Sequence, residues 1–406
     1  MITRIGKLMV LTCVFVLVGA GMVLAGGEPI KIGIVSPVSG NYGDHGKLER
    51  MGMTAALEQA GGTALGRPVT MVVADSETNP DVAARRARRL IEVDGCNFLM
   101  GSVSSSVSAA ISAVAAEKKV LYFATNGNSD SLNASKANTY MFHVAPSMAM
   151  LVRGGAEYVA KNVGKKWFYM THDYSWGHSG TAWARKSAEK LGVTEVGEIK
   201  VPLGTRDFSS QLLQVRQSGA DVLVVTMAGF DNVALLKQLA EYQIYNKMKV
   251  WYTLMEFVDM WPLKPEQRQA YANVEVYWNE NAATRAFAEE LQSKNPDAPC
   301  PMPLDNGTYE GWLAMKILLA GIEKAGTADN VEAVIKAIEG MEIKDNMRKY
   351  PTTVRAWDHQ VITQIDLIKA NPKATGPDMW DVIDQIDANK VVRTQAENPI
   401  NVSISK

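Results

Sequence analysis

The sequence predicts an α/β protein built as two consecutive doubly wound domains, and three observations point there. Short apolar runs alternate with longer segments of helical period from residue 30 onward. Near residue 148 the same alternation restarts with a second set of similar length. The chain has 406 residues, 47% of them hydrophobic and 21% charged, enough for two cores on a scale of roughly 150 residues each. Strand–helix alternation of this kind gives parallel sheets covered by helices on both faces.

The elements follow in order. "IKIGIVSP" reads as a strand and "KLERMGMTAALEQAGG" as a helix with a glycine stop. "RPVTMVVADS" is strand-like; "NPDVAARRARRLIEV" opens with Asn and Pro, as helices do, and carries its arginines on a solvated face. "NFLMG", "AAISAVAAEKK" and "VLYFAT" continue the pattern. The second set runs "AMLVRGGAEYVAKNV", "KKWFYMTHD", "SGTAWARKSAEKLG", "VTEVGEIKVP", "DFSSQLLQVRQSG", "ADVLVVTMAG", "NVALLKQLAEYQ" and "MKVWYTLM". After "NVEVYWN" come three helices, "TRAFAEELQSK", "TYEGWLAMKILLAGIEKAG" and "NVEAVIKAIEG", without a strand between them. They need a sheet to cover, and the first domain can supply it.

Residues 1–25 stand apart. Arg4 and Lys7 precede the apolar run "LMVLTCVFVLVGAGMV", and Val23, Leu24 and Ala25 form a small-x-small end, the pattern of a secretory signal peptide cleaved after Ala25. Cys13 follows Thr12 inside that run, which is not a lipid-attachment context. The other two cysteines, Cys96 and Cys300, would then lie where disulfides are permitted, and their spacing leaves open whether they pair. A formal net charge of −1 supplies no basic field for nucleic acid.

In open α/β sheets ligands gather beyond the carboxyl ends of the strands. The first such loop, "SPVSGNYGDHGK", fails as a phosphate loop: five residues separate Gly40 from Gly46, and Leu48 follows Lys47 where Ser or Thr is required. The third, "GSVSSS", places Ser104, Ser105 and Ser106 ahead of a helix, where they can cap it and, with its first-turn amides, hold an anion. Neither this segment nor "GHSGT" has the Gly-x-Ser-x-Gly form of a nucleophile elbow, and His45, His143, His172, His178 and His359 are too scattered to name a general base. His172, Asp173 and His178 share one loop without the helical pairing of zinc motifs, so no metal and no cofactor are expected. Tyr42, Tyr174, Trp176, Phe230, Tyr252 and Trp261 all fall in strand-end loops and fit a largely apolar pocket.

In their order and spacing, "IKIGIVSPVSG", "LGRPVTMVVADSETNP", "GSVSSS", "HDYSWGHSG", "GTRDFSSQLLQVRQSGADVLVV" and "YEGWLAMK" resemble the type I periplasmic solute-binding proteins of branched-chain amino acid ABC importers. The likeness covers nearly all of residues 28–370. It implies two doubly wound, Rossmann-like lobes joined by three crossing strands, with a ligand held between them and no chemistry performed. Lobe 1 is then expected from residues 28–143 plus 277–352, and lobe 2 from 144–276 plus 353–406.

Carried onto this chain, the resemblance puts a carboxylate cradle at Ser105, flanked by Ser104 and Ser106. The carbonyl that takes a ligand ammonium maps to Asn126, and the hydroxyl contacting both ligand ends maps to Asn128, where an amide replaces a threonine. Trp176 and Phe230 correspond to the second lobe's aromatics and Glu256 to its acidic partner for an ammonium; Tyr42 and His45 on the first loop complete the candidate set. A disulfide found in some of these proteins falls on Thr78 and Ser104, so it is absent. The implied protein is a periplasmic monomer that delivers a branched-chain or other hydrophobic amino acid, or a related carboxylate or amide, to the permease subunits of an ABC importer. The alternative on the same fold is a ligand-sensing module for a receptor.

Overall fold

The computed structural model describes residues 27–405; the expected signal segment, with Cys13 and the cleavage point after Ala25, lies outside the described residues. The first sheet is built from β1 (Ile30–Ser36), α1 (Gly43–Gln59), β2 (Thr63–Ala64), β3 (Arg67–Asp75), α2 (Pro80–Glu92), β4 (Phe98–Gly101), α3 (Ser105–Lys118), β5 (Leu121–Ala124) and β6 (Met141–His143). The second follows with α4 (Met148–Asn162), β7 (Lys166–His172), α5 (Ser175–Leu191), β8 (Thr194–Val201), α6 (Ser209–Gln217), β9 (Val222–Thr226), α7 (Phe230–Glu241), β10 (Lys249–Tyr252), α8 (Phe257–Met260) and β11 (Tyr271–Val274). The chain then runs through α9 (Ala282–Lys294), α10 (Asn306–Ala325), α11 (Val331–Ile338), β12 (Glu342–Ile343), β13 (Thr352–Val354), β14 (Val361–Ile362), β15 (Ile365–Ala370) and β16 (Trp380–Ile386).

Strand order is β2-β3-β1-β4-β5-β6 in the first sheet and β16-β15-β11-β10-β9-β7-β8 in the second. The sheets are parallel apart from the β2–β3 hairpin and the antiparallel pair β15 and β16. The inner strands of each sheet are buried on both faces, which is why β1, β4, β5 and β9 read as near-continuous apolar runs. Helix starts follow their sequence signals: Asn79 accepts from the amides of Asp81 and Val82, with Pro80 in the first turn of α2.

The helices after β11 return to the first sheet, and two glycines make that possible. A Cβ on Gly52 of α1 would stand 1.8 Å from the carbonyl oxygen of Thr308, and one on Gly311 of α10 would stand 2.2 Å from that of Glu49. Backbone therefore meets backbone, and α10 lies against α1 over a core that includes Met53, Trp312, Met315 and Leu318. The sequence did not foresee the small antiparallel sheet β12-β13-β14, whose strands are only two or three residues long.

The chain passes between the sheets three times: after β6, after β11 and before β15. Side chains bind these passages together. Gln360 Nε2 donates to the carbonyls of His143 (3.2 Å) and Ala145 (2.9 Å), and Asn133 Nδ2 donates to Gln360 Oε1 at 2.7 Å. Arg348 contacts Asp366 (2.8 Å) and Glu280 (3.0 Å) and donates to the Glu275 carbonyl, all without solvent contact. Residues 353–362 bridge to β6 through His143 and Gln360, and the tail reaches Glu339, which accepts from the amides of Ile404 and Ser405. These segments were expected with lobe 2; their partners lie beside the first sheet. Cys96 and Cys300 are both buried and unpaired.

Two substitutions test this architecture. Gly311→Ala gains about 1 kcal/mol of helix propensity, but its methyl would collide with backbone that cannot retreat; net destabilisation of about 1–3 kcal/mol is expected in urea unfolding. Arg348→Met leaves Glu280 and Asp366 buried without their cation and should cost about 3–5 kcal/mol in the same measurement.

Candidate functional site: a cavity between the lobes

Between the sheets lies a narrow cavity of about 20 Å³. Every residue of its wall follows the carboxyl end of a parallel strand. The first lobe contributes Tyr42 and His45 after β1, Val103 from the serine turn after β4, and Asn126 and Asn128 after β5. From the second come Tyr174 and Trp176 after β7, Ala228 after β9, and Leu254 and Glu256 after β10. Wider surface grooves exist, such as that around Tyr245, Met248 and Lys369, but each is lined from one lobe only.

Across the cavity the hydroxyls of Tyr42 and Tyr174 meet at 2.9 Å, a direct bond between lobes. Tyr42 stands edge-on to His45 (ring centroids 5.5 Å apart), and Tyr174 is tilted against Trp176 at 6.1 Å. The indole Nε1 of Trp176 is buried without a partner among the described residues, as are both ring nitrogens of His45. Burial lowers the His45 pKa to about 4, so the ring is neutral near pH 7. Its nearest acid is Asp259, 3.4 Å from Nε2.

Glu256 is the one carboxyl in the wall, and no lysine or arginine joins it. Asn306 Nδ2 donates to Glu256 Oε2 at 3.0 Å. Burial, and then the neighbouring Asp305, raise the Glu256 pKa well above the usual carboxylate range. Asp305 caps two helices at once, accepting from the amides of Phe257 (2.9 Å), Val258 (3.0 Å) and Asn306 (2.9 Å). Asn126 Nδ2 donates to Glu310 on α10, and Asn128 Nδ2 donates to the Pro146 carbonyl at 3.0 Å. The Asn128 carbonyl accepts from Met148 N at 2.9 Å, so this residue touches both the cavity and the first passage between lobes.

Of the residues the sequence singled out, Tyr42, His45, Asn126, Asn128, Trp176 and Glu256 come together in this wall. Ser104, Ser105 and Ser106 do not line it. Ser104 holds the N-cap position of α3 without a side-chain capping bond, and the Ser105 hydroxyl accepts from the Ser129 amide at 3.1 Å. Phe230 is 44% exposed beside Arg206 and stands outside the cavity. The preceding Gly229 (φ +77°) sits so close to Asn41 that a Cβ would lie 2.7 Å from its carbonyl oxygen, and the chain turns Phe230 outward. Tyr174, a strand-end aromatic in the sequence, joins the wall, as do Val103, Ala228 and Leu254, which carry no chemical signal. His178 pairs with Asp173 at 2.7 Å on the surface, and no cluster able to hold a metal occurs among the described residues.

Residues 29–376 match the family described as periplasmic binding protein, and the chain belongs to that family. The Leu/Ile/Val-binding protein BraC3 of Rhizobium johnstonii is 27% identical over 323 residues, 77% of this chain and 84% of its own length. A periplasmic binding protein from Burkholderia mallei has a TM-score of 0.85 at 27% identity, covering 92% of this chain and 98% of that one. A branched chain amino acid ABC transporter periplasmic ligand-binding protein from Burkholderia xenovorans gives 0.79 at 27% identity, over 92% and 99%. The protein is thus a ligand-binding protein of the ABC transporter type, and its family places it in the periplasm. No helix among the described residues is long and apolar enough to cross a membrane.

Glu256 gives this site a cost that can be measured. Its folded-state pKa lies above the unfolded value, so the folded protein binds the proton more tightly and stability falls as pH rises through that interval. Glu256→Gln removes the titration. The variant should gain about 0.5–2 kcal/mol of stability near neutral pH while binding ligand more weakly. In thermal melts its advantage should shrink as pH falls toward the ordinary carboxylate pKa of 4.5.

Proposed function

We propose that this protein carries a small ligand with an apolar body and a polar head, of the hydrophobic amino-acid type, to the permease of an ABC importer by closing its lobes around it. The observation that carries the reading is one cavity walled from both lobes, with the Tyr42–Tyr174 bond across it. Aromatic rings offer surface for the apolar body, while Glu256, Asn126, Asn128 and the Trp176 N–H offer polar contacts for the head. The names of the Rhizobium and Burkholderia xenovorans relatives, a Leu/Ile/Val-binding and a branched chain amino acid transporter protein, support the same class. We take lobe 1 as residues 28–143 plus 277–362 and lobe 2 as 144–276 plus 363–390, with the tail crossing both.

A ligand that touches both lobes favours the closed state by its differential affinity. Thermal-shift and fluorescence titrations with hydrophobic amino acids, their amides and aromatic carboxylates should identify a class that raises the melting temperature and changes tryptophan emission together. At a ligand concentration 100 times Kd the gain is about 2.7 kcal/mol. Trp176→Phe should keep most of that stabilisation and lose the emission change. An emission change that survives in full would remove Trp176 from the ligand's surroundings; no response in any class would remove the small-ligand reading.

A further inference from the structure

We propose that Asp130, fastened by Arg393 of the C-terminal tail, positions α5 against the first lobe, so that the tail governs how tightly the lobes hold a ligand although none of its residues lines the cavity. The inference rests on the reading that the lobes close around a ligand, and it names the element that weights the closed arrangement.

The tail, residues 391–405, is tied to the two lobes in alternation. Val391 and Val392 pack against the core of the second lobe, and Arg153 of α4 donates to the Val391 carbonyl at 3.2 Å. Arg393 then turns to the first lobe, where it donates to Asn133 Oδ1 at 2.6 Å and sets its Nε 3.0 Å from Asp130 Oδ1. Glu397 returns to the second lobe and pairs with Arg153. Asn398 donates to the Asn133 carbonyl at 2.7 Å, and the Val402 amide donates to the Trp357 carbonyl at 2.9 Å, both in the first lobe. A strap fixed on both sides of a hinge opposes a change of angle until one set of its bonds gives way.

Asp130 is where this strap meets the site. It lies in the first-lobe loop after β5, just beyond Asn128 of the cavity wall. Its Oδ2 accepts from Ser179 Oγ at 3.0 Å and from the Ala149 amide at 3.1 Å, and its own amide donates to Ser179 Oγ at 3.2 Å. The preceding residue, Ser129, accepts from Ser175 Oγ at 3.0 Å. Ser175 and Ser179 stand one turn apart on the same face of α5, so consecutive loop residues grip the helix at the end that carries Tyr174 and Trp176 to the cavity. Asp130 and Arg393 are both buried. Without Arg393 the carboxylate would lose its cation, and either protonation or a turn toward water would loosen its hold on Ser179. Asp130 and Arg393 do not line the cavity wall; they are positioning residues.

Two measurements test the strap: stopped-flow tryptophan emission with L-leucine as the probe, and small-angle X-ray scattering of the ligand-free protein. L-leucine should leave Ser179→Ala and Arg393→Met about 10-fold faster than wild type, since each loses a bond to a charged group. Association should change by no more than about 2-fold, because the bonds removed act after the lobes have met the ligand. The ligand-free variants should have a larger radius of gyration than wild type. Arg393→Lys keeps a cation against Asp130 and should recover most of the wild-type dissociation rate, a rescue that a purely structural role would not give. Should Arg393→Met fail to fold, Ser179→Ala carries the test, since it leaves the ion pair in place. A folded Ser179→Ala with dissociation rate and radius both unchanged would overturn the proposal, as would a lowered melting temperature with neither altered. If L-leucine does not bind the wild-type protein, the amino-acid reading loses its support and scattering alone decides: a larger radius in the variants upholds the strap, and an equal radius overturns it.

Discussion

The contact of α1 with α10 is the constraint on which the rest of the molecule depends. Two helices approach closely enough for backbone to touch backbone only because Gly52 and Gly311 carry no side chain. That approach pins a helix from the last third of the chain onto the first sheet. Its N-terminal turns, with Asp305, Asn306 and Glu310, then stand directly behind the cavity. The polar scaffold of the cavity is therefore held by packing at a distance from it, and Glu256 and Asn126 are oriented by Asn306 and Glu310, which do not line its wall.

The interior this produces is acidic. Glu49, Glu256, Asp259, Glu275, Asp305 and Glu310 are all buried, and burial is the leading cause of each raised pKa. A core that sought stability alone would replace such groups with apolar ones. They remain folded because backbone amides, asparagines and shared protons satisfy most of their oxygens. Part of the stability won by the two apolar cores is given up to hold this array in place, which is the usual relation between a binding site and the scaffold around it.

Periodicity made the two sheets legible, because strands buried on both faces must be apolar throughout and the helices between them must be amphipathic. The little sheet near residues 342–362 was illegible for the converse reason: two- and three-residue strands leave no period to read. In the cavity wall, Tyr42, Asn126 and Trp176 were legible because they follow strand ends, where open α/β sheets gather ligands. Ser105 stands outside the cavity wall: a serine hydroxyl ahead of a helix has several possible partners, and here it accepts from the Ser129 amide. Glu310 could not be found at all, since it lies 184 residues from the asparagine it holds.

The three passages between lobes also govern how the chain is made. One face of the first sheet packs within a continuous stretch, from Val35 to Met141, but its other face waits for α10, and the second sheet gains β15 and β16 only after α9, α10 and α11 have been made. Contacts of such long sequence separation form slowly, since the intervening chain must be ordered before they reward it. For a periplasmic protein this delay is useful. A polypeptide threading through a membrane pore has to stay extended, and one whose lobes cannot be completed until α10 and the strands after it have emerged is helped to do so by its own connectivity.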